Sequence, residues 1–387
     1  MNPIEEILSR GVSEVIEKQE LEKLLKSGKK LRIKLGIDPT SPNLHIGRAV
    51  VLWKLRAFQE MGHKVVFIVG DFTGLIGDTS DKESERPMLD EKTIKANLKS
   101  YFAQASKIID AKKAEMHYNS KWLKKLGFLE IGKMADLFSL HEFSMRENIA
   151  KRLSAGKRVS LRELLYPIMQ GYDSVAVKAD VELGGTDQRF NLLAGRVIQP
   201  SYKQKPQNIL MTELMEGTDG RKMSSSWGNV INLTDEPNDM FGKIMSINDE
   251  LIKKYFILAT RVNLQTIDEV LKMPNPRDQK LILAEEITKL YHGEKKAGLA
   301  KQAFISQFTK GELPENIETK IVLSSITTIS EAALVTGLVS SKGEARRLIQ
   351  QGGIKLDGQT VKDDKINITK TEQLLQVGKR KFVKIKS

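Results

Sequence analysis

Short apolar runs alternate with longer stretches of helical spacing across the first 220 residues. Residues 31–37 form one apolar run, followed by a Pro/Thr/Ser/Asn loop. A helical pattern covers about 45–61 and stops at Gly62. Residues 64–69 (K-V-V-F-I-V) are rich in β-branched side chains and lead into a glycine-rich loop at 70–78. A helix is expected over about 92–109, strands over 181–185 and 207–214, and a helix from about 186. This alternation predicts an α/β fold built on a doubly wound parallel sheet. Residues 120–165 break the rhythm and read as a mostly helical insertion.

The β signal fades from about 235 to 310. There, Leu283, Ile287, Leu290 and Tyr291 share one helical stripe. Residues 311–328, with Gly311 and Pro314, read as a linker. A small α+β unit then begins. Ser341-Lys342-Gly343-Glu344 has the pattern of a capping box opening a helix, and Gly352-Gly353 stops it. Asp357-Gly358 predicts a hairpin turn, and Gly378 marks a second turn. The expected division is 1–230 (with the insertion at 120–165), a helical domain at 231–310, a linker at 311–328 and a small domain at 329–387.

Charge adds a partner to this picture. Lys and Arg number 62 against 49 Asp and Glu, a net charge of +13. The last 57 residues hold 12 basic and 6 acidic side chains. A compact basic unit points to a polyanion such as nucleic acid, and a solubilising surface is the alternative. The absence of cysteine excludes disulfides, thiolate zinc sites and a cysteine nucleophile. The 5 histidines show no metalloprotease spacing. No apolar run is long enough to span a membrane. The polar, acidic N-terminus lacks the features of a secretory signal, so a cytoplasmic location is expected.

Two segments carry chemistry. Asp38-Pro39-Thr40-Ser41-Pro42-Asn43-Leu44-His45-Ile46-Gly47-Arg48 joins the first strand to a helix. Ligands of doubly wound sheets bind beyond the carboxyl ends of the strands, and a helix N-terminus favours phosphate. His45 can donate to a phosphate oxygen, Gly47 lets a flat base approach the backbone, and Arg48 adds charge. The second segment, Asp219-Gly220-Arg221-Lys222-Met223-Ser224-Ser225-Ser226, offers a lysine, hydroxyls and backbone donors that could close over a triphosphate. Taken singly, each could be an ordinary turn or a polar surface loop.

Together the two segments resemble the paired signature of class I aminoacyl-tRNA synthetases. Further segments resemble the tyrosyl-tRNA synthetase family: Leu35-Gly36-Ile37-Asp38-Pro39-Thr40, Gly70-Asp71-Phe72-Thr73-Gly74-Leu75-Ile76-Gly77-Asp78, Tyr166-Pro167-Ile168-Met169-Gln170-Gly171-Tyr172-Asp173 and Val181-Glu182-Leu183-Gly184-Gly185-Thr186-Asp187-Gln188. Residues 283–293 fit as well, and the basic tail resembles a small RNA-binding domain first known from a ribosomal protein.

The resemblance implies a Rossmann-like catalytic domain, an anticodon-side helical domain and an RNA-binding tail. It implies activation of L-tyrosine by ATP with Mg2+, without a tightly bound protein metal site, followed by transfer to tRNA(Tyr). It also implies a homodimer formed through the insertion. Asp38, Thr40, His45, Gly47 and Arg48 would hold ATP, Asp187 its ribose, and Lys222, Met223, Ser224, Ser225 and Ser226 the closing loop. Lys82 and Arg86 would meet the pyrophosphate. Asp78, Tyr166 and Gln170 would clamp the α-ammonium, with Thr73 and Gln188 nearby and Asp173 accepting the phenolic hydroxyl. Arg346, Arg347 and Lys355 would touch tRNA.

The chain departs from the family pattern at Lys34 (often a second tyrosine), Arg48 (often histidine), Ser225 (often lysine) and Thr79-Ser80-Asp81 (often Pro-Ser-Gly). Tryptophan activation, or an RNA-binding protein that has lost catalysis, are the competing readings.

Overall fold

The computed structural model describes residues 2–78, 88–309, 317, 319–321, 328–364, 373–378 and 381–386. It separates into two compact units, Met1–Lys301 and Gln302–Ser387.

The first unit is built on six strands: β1 (Val12–Ile16), β2 (Arg32–Ile37), β3 (Lys64–Val69), β4 (Glu115–Tyr118), β5 (Val181–Gly185) and β6 (Asn208–Thr212). Their spatial order is β1-β6-β5-β2-β3-β4. All neighbours are parallel except β1, which runs antiparallel to β6. Val65, Val66, Phe67 and Ile68 of β3 are all fully buried. Helices on both faces of a parallel sheet explain why this strand reads as a continuous apolar run. The chain leaves β2 for β3 and β4 on one side and returns with β5 and β6 on the other. The carboxyl ends of β2 and β5 therefore flank the switch point, where such sheets open a crevice.

The helix Ile46–Glu60 follows β2 and buries Ile46, Leu52, Leu55 and Phe58. The helix Leu161–Val177 is started by a full capping box between Ser160 and Glu163. The 120–165 stretch holds four short helices, Ser120–Leu123, Phe128–Ala135, Leu140–Ser144 and Glu147–Ser154. Arg152 and Glu163 tie it to the helix Leu161–Val177 through a buried ion pair at 2.6 Å.

Beyond β6 the chain is helical: Pro237–Met245, Ile252–Ala259, Leu264–Leu271, Pro276–His292 and Glu294–Thr309, with the division between the units falling inside the last of these. Leu283 and Ile287 are fully buried, and the Tyr291 hydroxyl accepts from Trp53 Nε1 at 3.0 Å. The Arg10 guanidinium donates to the carbonyls of Phe256, Ile257, Thr260 and Val262. It thereby satisfies acceptors that the end of a helix leaves open.

In the second unit, β7 (Thr319–Ile321), β8 (Ile354–Leu356), β9 (Gln359–Thr360), β10 (Gln373–Val377) and β11 (Lys381–Lys386) lie in the order β7-β11-β10-β8-β9. β7 falls inside the stretch read as a linker and pairs parallel with β11. Two helices, Ile329–Val335 and Lys342–Gln350, share a core with Ile354, Leu375, Val383 and Ile385. Ser341 caps the second helix by accepting from Glu344 N–H at 3.1 Å. The reciprocal half of the expected capping box is displaced by one residue, because the Glu344 carboxylate accepts from Ser340 N–H at 2.7 Å. Asp357 and Gly358 both have positive φ, 49° and 80°, and join β8 to β9 as a tight hairpin.

Candidate active site

A cavity of about 460 Å³ opens at the carboxyl ends of β2 and β5. The loop after β2 contributes Asp38, Thr40, His45, Gly47 and Arg48 to its wall. The segment after β5 adds Asp187 and Gln188, and the loop beyond β6 adds Lys222, Met223, Ser224, Ser225 and Ser226. Asp78, Tyr166 and Gln170 complete one side.

His45 occupies the N-cap position of the helix Ile46–Glu60 and is 5% exposed. Its Nδ1 has no hydrogen-bond partner among the described residues. Burial pushes its pKa down to about 3, with Arg48 and Lys222 adding positive charge nearby. The imidazole is therefore neutral at physiological pH, a donor without charge at the start of a helix. A Cβ at Gly47 would stand 3.1 Å from His45 Nδ1 and 3.3 Å from Met223 Sδ. Both signature segments thus close on Gly47. Arg48 donates to the Tyr101 hydroxyl and, at 3.4 Å, to Thr40 Oγ1.

Lys222 Nζ pairs with Asp187 Oδ2 at 2.9 Å. Asn229 shapes the loop from behind. Its Nδ2 donates to Asp219 Oδ1 at 2.7 Å and to the Lys222 carbonyl at 3.0 Å, and its Oδ1 accepts from Ser224 N–H. Arg221 stacks over the exposed Trp227 ring at 4.9 Å.

On the other side, Asp38 accepts from Thr73 Oγ1 at 2.7 Å and from the Tyr166 hydroxyl at 2.9 Å. A Cβ at Gly70 would collide with Asp38 Oδ1 and Thr73 Oγ1, so this position must be glycine. Burial, reinforced by Asp38 and Asp78, raises the Tyr166 phenol well above its ordinary range, so it remains a donor. Asp78 accepts from Gln188 Nε2 at 2.8 Å.

Thr73 and Asp173 do not line the cavity. They lie buried behind its wall, 2% and 3% exposed. Asn119 Nδ2 bridges them, donating to Thr73 Oγ1 at 2.9 Å and Asp173 Oδ2 at 3.2 Å. Trp122 Nε1 donates to Asp173 Oδ1 at 2.7 Å. Burial lifts the Asp173 carboxyl to about 7, while Lys34 and these two hydrogen bonds hold it lower. Lys82 and Arg86 fall outside the described residues. Arg346, Arg347 and Lys355 are exposed in the second unit. Arg346 Nε is 3.3 Å from Asp364.

Asn119, Trp122, Tyr101 and Asn229 were not evident from the sequence. The first two follow β4, whose polar E-M-H-Y gave no strand signal. Recognising β4 would have placed them at the ligand edge of the sheet. Among the described residues, no three His, Cys, Asp or Glu side chains converge as metal ligands, and no helix is long and apolar enough to cross a membrane.

Known proteins resemble this chain along its whole length. The family described as tRNA synthetases class I (W and Y) matches residues 26–309, and the S4 domain matches residues 333–374. The tyrosine–tRNA ligase of Thermotoga maritima is 45% identical over 394 residues, covering 100% of this chain and 98% of that one. The tyrosine–tRNA ligase of Shewanella oneidensis is 44% identical, covering 98% and 97%. A C-terminally truncated mitochondrial tyrosyl-tRNA synthetase from Aspergillus nidulans shares the fold with a TM-score of 0.66 at 20% identity, over 79% of this chain and 94% of that one. With matches of this extent in both units, the chain belongs to the tyrosyl-tRNA synthetase family of class I aminoacyl-tRNA synthetases.

Proposed function

We propose that the chain joins L-tyrosine to tRNA(Tyr) in two steps. In the first, a carboxylate oxygen of tyrosine attacks the α-phosphorus of ATP. The bond from that phosphorus to the bridging oxygen breaks, and pyrophosphate leaves with the electron pair. In the second, a terminal ribose hydroxyl of tRNA attacks the carbonyl carbon and AMP leaves. The attacking carboxylate is already ionised at neutral pH. The protein therefore works by positioning and by stabilising phosphate charge.

The observation that carries this reading is the meeting of His45, Gly47 and Met223 at the mouth of one cavity, with Lys222 beside Asp187. In this assignment neutral His45, Gly47, Arg48, Asp38 and Thr40 receive ATP, and Asp187 receives its ribose. Lys222 exchanges Asp187 for phosphate oxygens, with Met223, Ser224, Ser225 and Ser226 closing behind it. Lys82 and Arg86 are assigned to pyrophosphate on sequence alone. Asp78, Tyr166 and Gln170 take the α-ammonium, with Gln188 beside Asp78, Thr73 orients Asp38, and Asp173, behind the cavity wall, is assigned to the phenolic hydroxyl by the family resemblance. Magnesium would arrive on the ATP phosphates, where it neutralises charge. Asp38, Asp78, Asp187 and Glu213 are carboxylates of the cavity lining, and any of them could add a single ligand to a magnesium carried by the phosphates.

The exposed Arg346, Arg347 and Lys355 suit the backbone of tRNA. Phe128, Leu129, Leu140 and Leu161 are 95%, 76%, 70% and 78% exposed within or beside the inserted helices. Large apolar side chains left this open favour burial against a second copy, so a homodimer is inferred. The substrates are those of the cytoplasm, and the chain is assigned there. Tyrosine-dependent exchange of pyrophosphate into ATP, run beside tryptophan and phenylalanine, tests the reading. Exchange with tyrosine alone is expected. No exchange with any of the three would reject the reading.

A further inference from the structure

Lys34 and Glu182 are register partners on β2 and β5, and their side chains are sealed from solvent at 0% and 1% exposure. Two charges taken out of water add little net stability, so packing alone is a poor account of them. Their contacts point elsewhere. The Lys34 ammonium spends its three protons on Glu182 Oε1 at 2.9 Å, the Gln170 carbonyl at 2.9 Å and Ser174 Oγ at 2.8 Å. Glu182 accepts in turn from Gln170 Nε2 at 3.1 Å, from Ser174 Oγ at 3.1 Å and from Gln207 Nε2. Gln170 is thus held twice, at its backbone by the lysine and at its amide by the glutamate.

Gln170 lines the cavity; neither Lys34 nor Glu182 does. A glutamine amide has a donor end and an acceptor end, and an ionised carboxylate only accepts. Glu182 therefore claims Nε2 and leaves Oε1 as the end offered to the cavity. We infer that the Lys34–Glu182 pair is a positioning element for amino acid selection. It locks the Gln170 amide with its oxygen outward, so that the pocket accepts from a protonated amine and discriminates against ligands without one. This rests on the assignment of Gln170 to the α-ammonium. Lys34 is one of the positions at which the sequence departs from the family pattern. In this chain it acts through Gln170.

The test uses the full-length chain with the paired substitution Lys34→Met/Glu182→Leu, which removes both charges together. Binding of L-tyrosine is compared with binding of 3-(4-hydroxyphenyl)propionate, the same molecule without its amine. The unaltered protein should prefer tyrosine. In the double variant that preference should shrink about tenfold, because the amide can then turn its NH2 end toward the ligand and no longer accept from it. The tyrosine KM in exchange should rise in parallel, with kcat within about threefold and the ATP KM unchanged, a split that general loosening would not produce. A folded double variant with undiminished preference overturns the inference. If it fails to fold, Lys34→Gln/Glu182→Gln keeps a hydrogen bond between the strands without charge and decides in the same way. Failure of both to fold would make the pair structural and overturn it too. Absence of any preference in the unaltered protein would instead remove the Gln170 assignment, and the inference with it.

Discussion

Lys222 Nζ lies 2.9 Å from Asp187 Oδ2, so the loop beyond β6 is tied to the end of β5 by one ion pair. The same lysine adds to the positive field that keeps His45 neutral. A single side chain therefore couples the two signature segments electrostatically, and removing it should act on chemistry more than on tyrosine binding. Lys222→Ala is expected to slow exchange about 10²–10³-fold at saturating ATP, the usual cost of losing one preorganised donor to a developing charge. Tyrosine binding by equilibrium dialysis should stay within about twofold, since the role proposed for the lysine is to stabilise charge on the leaving group. Equal losses in both would count against this role.

Asp173 supplies a pH dependence. Burial raises its carboxyl to about 7, from an ordinary value near 4. Below that pH the group is neutral, and above it the carboxylate is a full acceptor for a phenol. In exchange assays the kcat/KM for tyrosine should climb from about pH 6 to about pH 8, while that for phenylalanine stays flat. Asp173→Asn should flatten the tyrosine profile. Stability runs the other way: a raised folded pKa favours the fold below the unfolded value, and that advantage is lost as pH rises toward 7. A tyrosine-to-phenylalanine ratio constant across this window would reject the role.

Gly47→Ala places a methyl group against His45 and Met223, at 3.1 and 3.3 Å. The methyl group displaces these two side chains at the cavity wall rather than a packed core, and should raise the ATP KM roughly tenfold by misplacing them. The melting temperature should stay nearly unchanged, because Gly47 is only half-buried at a cavity wall. Steady-state kinetics at varied ATP check this.

For tRNA, the log–log salt dependence of affinity counts the phosphates neutralised. Arg347→Ala should lower that slope by about 1, with amino acid activation untouched. Arg346→Ala should lower it less, because its guanidinium is shared with Asp364 at 3.3 Å. Filter binding at several salt concentrations separates the two.

Phe128→Glu places a charge on one of the most exposed apolar side chains of the insertion. Sedimentation velocity should then show a monomer, where a dimer is expected of the unaltered chain. An unaltered chain that is already monomeric would reject the interface.

Much of this architecture could be read from local pattern. β3 and β6 announced themselves because parallel strands buried on both faces carry near-continuous apolar runs, whereas β2 and β5, interrupted by Lys34 and Glu182, were marked by the loops and motifs that follow them. β1 and β4 gave no such sign, because they lie at the sheet edges and carry polar side chains such as Glu14 and Glu115. The cavity wall was legible wherever its residues came in contiguous motifs, as with His45 to Arg48 or Lys222 to Ser226. The buried supports were hidden: Asn119, Trp122 and Tyr101 reach the site from segments far apart in the chain, and only the sheet order brings them in. Lys34 drew notice as a departure, yet its partner Glu182 became visible only through strand pairing.

That pairing has a consequence for descent. A lineage that replaced Lys34 alone would leave Glu182 charged and buried without its cation, and breaking a buried pair costs about 3–5 kcal/mol. That is a large share of the stability of an ordinary domain, so most such intermediates would be lost before a second change arrived. Positions 34 and 182 are therefore expected to be inherited as a unit. Relatives should divide into those that carry both charges and those that carry neither.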